Sequence, residues 1–294
     1  TLMGTVVQIE IYSEDRDVAL ESIDQIINAM RDYEERLSAY LDNSEISSIN
    51  AMGYQEPVRV SPETFDLIKK SIAVSKMTGG AFDITFQSVG YLYNFEKETA
   101  PNQQQINAAL EAVNYKQIVL NEKNRTVQLS HPALKINLGG IAKGFIVEKC
   151  IQIAVELGIK HAMVNAGGDS KILGNKQGRP WKVGIAHPRK KATIVKSISL
   201  ENSSISTSGD YERFFEIGGE RFHHILNPGT GKPVKGIQSV TVTGPNATMT
   251  DALSTSVFVL GEERGLALIQ SLRDYDVIII NADGQIKTTG DLQQ

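Results

Sequence analysis

Two adjacent histidines, His223 and His224, lie in the stretch 205–233 together with the run Asp210-Tyr211-Glu212-Arg213 and two glycine-containing turns. An imidazole titrates close to neutrality, so a histidine that borders a cleft is suited to move a proton to or from a hydroxyl. Residues 212–217 and 220–226 read as two strands: Phe214, Phe215 and Ile217 are answered across Gly218-Gly219 by Phe222 and Ile225, and a Gly-Gly turn supplies the positive φ of such a hairpin. Successive strand residues point to opposite faces, so one histidine faces a cleft or solvent while the other packs inward. The tail 227–233 has no apolar period and reads as a rigid polar loop outside the core. The plain alternative is a surface hairpin with a satisfied core histidine.

Four further groups could do chemistry. Asp251, Ser254 and Thr255 fall at i, i+3 and i+4, on one face of a helix that leads into the apolar run 257–260. One carboxylate and two hydroxyls suit a hard cation such as Mg²⁺, which prefers oxygen and leaves room for a phosphate. Thr248 and Asp251 equally match a capping box, which would put the helix start there. Residues 134–144 read as strand, glycine turn and helix start, a geometry in which free N–H groups hold a phosphate, and Lys143 adds positive charge there. This is neither a Walker loop nor a dinucleotide GxGxxG. The strand 161–165 ends in a second glycine turn with a carboxylate behind it, Gly167-Gly168-Asp169. Asp83, between Phe82 and Ile84 after the Gly79-Gly80 turn, is either a buried hydrogen-bonded carboxylate or a site residue. Tyr40, just past a helix end, reads by itself as a packing residue.

These groups need a frame. Residues 2–12 alternate as a strand, with Gly4 marking a close backbone approach. A helix spans 15–37, a short helix or turn 44–50, and Ser61-Pro62-Glu63 starts a helix that runs to Thr78. A polar insert with a weak helix at 102–113 shows no chemistry of its own. Strands follow at 117–120, 126–129, 181–186, 193–200 and 238–243, with helices at 145–157 and 262–272 and a last hairpin, 277–281 to 286–288, turning at Asp283-Gly284. With 294 residues, 41% hydrophobic and 22% charged, the chain can bury a substantial core. A net charge of -4 gives no overall footprint for nucleic acid and no polybasic membrane patch. Cys150, the single cysteine, sits in an apolar helical pattern and allows no intramolecular disulfide. No apolar run approaches the ~20 residues of a membrane span. A chain that begins at Thr1 is compatible with removal of an export signal or anchor.

In order along the chain, Met3-Gly4-Thr5, Ser38-Ala39-Tyr40 with Ser44-Glu45-Ile46, the segment 78–85, Leu138-Gly139-Gly140-Ile141-Ala142-Lys143-Gly144, Val164-Asn165-Ala166-Gly167-Gly168-Asp169, the segment 206–213, His223-His224-Ile225 with Pro228 and Thr230-Gly231-Lys232-Pro233, and Asp251-Ala252-Leu253-Ser254-Thr255 resemble the ApbE family of FAD:protein FMN transferases. The resemblance implies one α+β domain over residues 1–294, T-fold-related, with mixed or antiparallel sheets flanked by helices and a ligand cleft between two lobes. It also implies Mg²⁺-dependent cleavage of FAD, with FMN passed to a Ser or Thr hydroxyl of an acceptor protein and AMP released. Met3, Ser38, Tyr40, Ala81, Phe82, Asp83, Asn137 and Ile225 would contribute to the flavin and adenine sites and Lys143 would face the pyrophosphate. The Gly140 carbonyl with Asp251 and Thr255 would hold the metal, with Ser254 near it. His223 and His224 would border the reacting phosphorus, His224 acting as base. Family members usually work outside the cytoplasm, often tethered by a lipid, so an extracytoplasmic site is expected, with no nucleic-acid partner. Two departures stand out: Asn137 and Asn227 replace aspartates common in the family. Rival activities are an FAD pyrophosphatase and a non-catalytic FAD-binding protein.

Overall fold

The computed structural model describes residues 2–293. From the N-terminus come β1 (Val7–Tyr12), α1 (Arg16–Leu37), α2 (Glu45–Met52), β2 (Val58–Arg59), α3 (Pro62–Met77), α4 (Gln87–Gly90) and α5 (Gln103–Leu110). The hairpin β3 (Ile118–Asn121) and β4 (Thr126–Leu129), α6 (Ala142–Glu156), β5 (His161–Ala166) and β6 (Asp169–Leu173) follow. Then come β7 (Trp181–Ala186), β8 (Ile194–Leu200), β9 (Ser204–Gly209), β10 (Phe214–Ile217), β11 (Glu220–His223) and β12 (Ile237–Gly244). The chain ends with α7 (Ala247–Leu260), α8 (Glu262–Gln270), β13 (Asp276–Asn281) and β14 (Ile286–Thr288).

The helix starts carry the expected signals. Asp15, Ser44 and Ser61 cap α1, α2 and α3 by accepting backbone N–H groups, and Pro62 opens α3. α7 corrects the sequence reading. Its cap is Asn246, whose side chain accepts from Met249 N, so Thr248 and Asp251 form no capping box and Asp251 lies inside the helix.

A seven-stranded antiparallel sheet, in the order β1-β5-β6-β9-β12-β13-β14, is the frame. α6 and α7 pack on one face of it, α1 lies against α6, and α8 against α7 and β13. Val240 and Val242 of β12 meet Leu253, Val257 and Phe258 of α7, all fully buried. Each such side chain contributes about 1.5–3 kcal/mol of burial free energy. The opposite face is covered by the β7–β8 hairpin, with Ile185 and Ile198 on Ile205 and Ile278. The mixed helices and antiparallel sheets are those expected of an α+β chain. Cys150 is a buried core residue whose thiol is pushed up to about 12 by burial, which leaves it inert. Among the described residues no helix is long and apolar enough to cross a membrane.

Three local expectations fail for physical reasons. β1 starts at Val7 because Met3 (φ 55°) and Gly4 (φ 69°) make a turn closed by reciprocal Leu2 and Thr5 backbone bonds. A Cβ on Gly4 would meet nothing within 4 Å, so the glycine serves φ and not a close approach. Residues 134–138 are extended but form no ladder. Their backbone is satisfied instead by Asn50, Ser88 and the Ile84 carbonyl. β11 ends at His223, so His224 lies just beyond the strand.

Candidate active site

The turn between residue 138 and α6 is organised by Asn137. Its Oδ1 accepts from Gly139 N at 2.7 Å, while its Nδ2 donates to Gln87 Oε1 at 3.1 Å and to the Tyr40 hydroxyl at 3.4 Å. An amide can make both kinds of bond, whereas an ionised carboxylate could only accept. The turn then passes over α7. A Cβ on Gly140 would stand 3.1 Å from Thr255 Oγ1 and 3.3 Å from Phe82. One turn later a Cβ on Gly144 would stand 2.6 Å from Asp251 Cβ, so only glycine allows α6 and α7 to approach this closely. Gly144 N donates to Asp251 Oδ2 at 2.9 Å. Gly140, distant in sequence, therefore shares one small volume at the start of α6 with Asp251 and Thr255 of α7.

Ser254 lies behind Thr255. Its hydroxyl donates to the Asp251 carbonyl at 2.9 Å and lies 2.8 Å from Ser208 Oγ, which is also 3.3 Å from Thr255 Oγ1. The Ser254 side chain is fully buried and engaged with the Asp251 carbonyl and Ser208, so it braces this face of α7 behind Thr255.

Buried charge gathers around this point. Lys143 Nζ pairs with Asp169 Oδ2, while Asp169 Oδ1 is buried with no partner. Burial works to deprotonate Lys143, but Asp169 and Asp251 outweigh it and hold the ammonium above the ordinary lysine range. Burial, then Asp169, pushes the Asp251 carboxyl up to about 7 against the pull of Lys143. Glu212 is raised by burial, pulled back by Lys143 and raised again by Asp169. Three carboxylates thus share one cation. A divalent ion fits that shortage. Among the described residues no three His, Cys, Asp or Glu side chains form a metal-binding group, so the donors would be oxygen-rich and mixed, as suits a hard cation. The Gly140 carbonyl, Thr255 Oγ1 and the Asp251 oxygen not used by Gly144 could supply them.

The two histidines part company. His223 donates from Nε2 to the Val234 carbonyl at 2.8 Å, accepts at Nδ1 from Ile225 N at 3.3 Å, and packs edge-on against Phe258. Both ring nitrogens are occupied and the residue is 3% exposed, which makes it a core histidine and corrects the expectation of a catalytic one. His224 uses Nδ1 toward the Arg213 carbonyl at 3.3 Å. A carbonyl can only accept, so Nδ1 carries the hydrogen and Nε2 keeps its lone pair. Burial pushes His224 down to about 4, and Lys143 adds to the effect.

Of the remaining candidates, Tyr40 is 67% exposed, with the Arg213 guanidinium 5.9 Å from its ring, so it is not the packing residue its position suggested. Met3 is half-buried in the N-terminal turn, and Ala81 is half-buried after Gly80. Ser38 caps the end of α1 and accepts from Tyr40 N at 3.2 Å, setting the approach to that ring. Phe82, Asp83 and Ile225 are buried, and Phe82 lies against Gly140 at the turn itself. Asp83 accepts from Thr85 N, Thr85 Oγ1 and Tyr115 N, a complete set for a structural carboxylate, while burial raises its pKa. Ile225 packs with Val240 and Phe258. Asn227, the second departure, accepts from Gly229 N at 2.9 Å and shapes the turn.

Asp169, Ser208 and Glu212 join this centre without having been assigned a place in it. A carboxylate directly after a strand and two glycines was the available signal for Asp169. Neighbours contributed by the sheet order, as for Ser208, leave no local trace.

The model of the ApbE family matches residues 3–279. The FAD:protein FMN transferase of Treponema pallidum is 30% identical over 98% of this chain and 85% of its own length, and that of Klebsiella pneumoniae 30% over 97% and 89%. Among solved structures, the ApbE protein of Thermotoga maritima superposes with a TM-score of 0.93 at 33% identity, covering 100% of this chain and 96% of its own. The flavin transferase ApbE of Vibrio cholerae does so at 0.85 and 28%, covering 98% and 94%. A family match over residues 3–279, nearly the whole length, means that this chain belongs to the ApbE family.

Proposed function

We propose that the protein is an Mg²⁺-dependent FAD:protein FMN transferase that splits the pyrophosphate of FAD, attaches FMN through a phosphoester to a Ser or Thr hydroxyl of an acceptor protein and releases AMP. The observation that carries this reading is the meeting of Gly140, Asp251 and Thr255 beside Lys143, where glycines clear the space and buried carboxylates outnumber cations. Relatives named FAD:protein FMN transferase support it.

The residues divide the work as follows. Lys143, pinned by Asp169, sets a fixed positive charge at the start of α6, where it can face a pyrophosphate oxygen. A divalent ion held by the Gly140 carbonyl, Asp251 and Thr255 would supply Lewis-acid charge neutralisation at the same phosphates. Exposed Tyr40, oriented by Asn137 and flanked by Arg213, offers a stacking face for a flavin or adenine ring. His224 is neutral at pH 7 and presents Nε2 as the acceptor for the proton of the attacking hydroxyl. The acceptor oxygen forms a bond to the FMN phosphorus, the P–O bond to the AMP half breaks with its electron pair, and the hydroxyl proton passes to His224.

Incubation with FAD and Mg²⁺, with and without an acceptor protein, tests the reading. A covalently yellow acceptor and stoichiometric AMP are expected. Free FMN regardless of acceptor would mean a pyrophosphatase, and intact bound FAD a carrier.

A further inference from the structure

The modest net charge hides a segregation. From residue 170 to residue 200 there are eight lysines and arginines and no aspartate or glutamate, so of the chain's 30 basic residues 22 remain elsewhere to face all 34 acidic ones. Most of this segment is the β7–β8 hairpin on the back of the large sheet. Lys182 on its outward face and Lys190 and Lys191 at its tip are exposed. Among the described residues none of these three side chains has a hydrogen bond or an ion pair. Between the cations lies Ile194, 63% exposed, over Gly184, where a Cβ would meet it at 2.7 Å.

The tip is tied to the active-site end. Arg189 donates from Nη1 and Nη2 to the two oxygens of Asp210, each at 2.6 Å, and Arg221 of the β10–β11 hairpin reaches the same carboxylate at 3.6 Å. Asp210 lies two residues after Ser208, which touches Ser254 and Thr255, and two before Glu212, which feels Lys143 and Asp169. One carboxylate therefore joins two hairpins beside the phosphate site.

We propose that the β7–β8 tip and outward face form the docking surface for an acidic stretch of the acceptor protein, next to the hydroxyl that receives FMN. The proposal rests on the transferase reading above. Unpaired surface cations that repel one another contribute nothing to their own fold, and an anionic partner relieves them while steering its approach. An exposed apolar residue framed by charge has the layout of a small interface centre with a polar rim. A protein partner is favoured over a lipid surface because Arg189 and Asp210 tie the tip to the segment that carries Ser208 and Glu212, so a chain docked on the lysines is held to the part of the fold that borders the site.

The test uses the full chain and fluorescent peptides bearing one threonine flanked by aspartates or, as control, by lysines. Fluorescence anisotropy should show binding of the acidic peptide only, lost in high salt. The triple charge reversal K182E/K190E/K191E should weaken it about tenfold or more. FAD affinity and Tm should stay at wild-type values, and FMN transfer to the acidic peptide should show a raised KM at unchanged kcat. Equal binding of both peptides, or unchanged affinity in the reversed variant, would overturn the proposal. So would binding of these lysines to phosphatidylglycerol vesicles while the acidic peptide is ignored. If the peptide binds through the lysines but receives no FMN, the docking surface stands and the transferase reading fails.

Discussion

Two Gly-Gly turns in this molecule each lead to a buried aspartate, and the two aspartates meet opposite circumstances. Asp83, after Gly79-Gly80, is 7% exposed and accepts three hydrogen bonds, two from Thr85 and one from Tyr115 N. Asp169, after Gly167-Gly168, is 1% exposed, shares Lys143 with Asp251 and keeps one oxygen without any partner. A carboxylate whose lone pairs are filled by backbone and hydroxyl donors is architecture. Carboxylates left short of donors and crowded by one another are a standing demand for a cation. Burial alone does not separate the two cases; satisfaction does. The histidine pair repeats the lesson, His223 with both nitrogens engaged and His224 with one free.

The sharpest way to break this contrast is at the unsatisfied end. Asp251→Asn keeps an oxygen for Gly144 N but removes the charge, and should lower Mg²⁺-dependent AMP release from FAD about a thousandfold. Asp83→Asn should leave that rate within a few-fold of wild type. Next in size, His224→Gln should slow FMN transfer about a hundredfold with little change in Tm, whereas His223→Gln should mainly lower Tm. At the satisfied end, Asp83→Asn turns an amide donor toward Thr85 or Tyr115 N and should cost about 2 kcal/mol in urea unfolding.

A further effect concerns pH. The Asp251 carboxyl stands at about 7 in the fold against 3.8 when unperturbed. Between those values the folded chain holds a proton that the unfolded chain has released. Relative to Asp251→Asn, the metal-free wild type should therefore lose stability as pH rises from about 4 to about 7, by at most about 1.4 kcal/mol per pH step. Mg²⁺ should flatten the difference. An unchanged slope with Mg²⁺ would detach Asp251 from the cation.

What could be read in the sequence was local or ordered. Ser61-Pro62, Ser44, Gly218-Gly219 and the hairpins announce themselves because their signals are side chains acting on neighbouring backbone. The start of α7 was misplaced because Asp251, eligible for a capping box, is drawn to Gly144 N, 107 residues away. Residues 134–138 looked like a strand because their apolar pattern is that of one. Their partners are Asn50 and Ser88, which no window around them contains. Asp169 and Ser208 reach the site only because β6, β9 and β12 lie side by side in the sheet, and that order is not local information.

The most direct measurement is an anomalous difference map from crystals grown with FAD and Mn²⁺ in place of Mg²⁺. The account predicts one strong peak at about 2.0–2.4 Å from the Gly140 carbonyl oxygen, an Asp251 carboxylate oxygen and Thr255 Oγ1, against the FAD pyrophosphate. FAD bound with the metal elsewhere, or with no metal at those three groups, would contradict it.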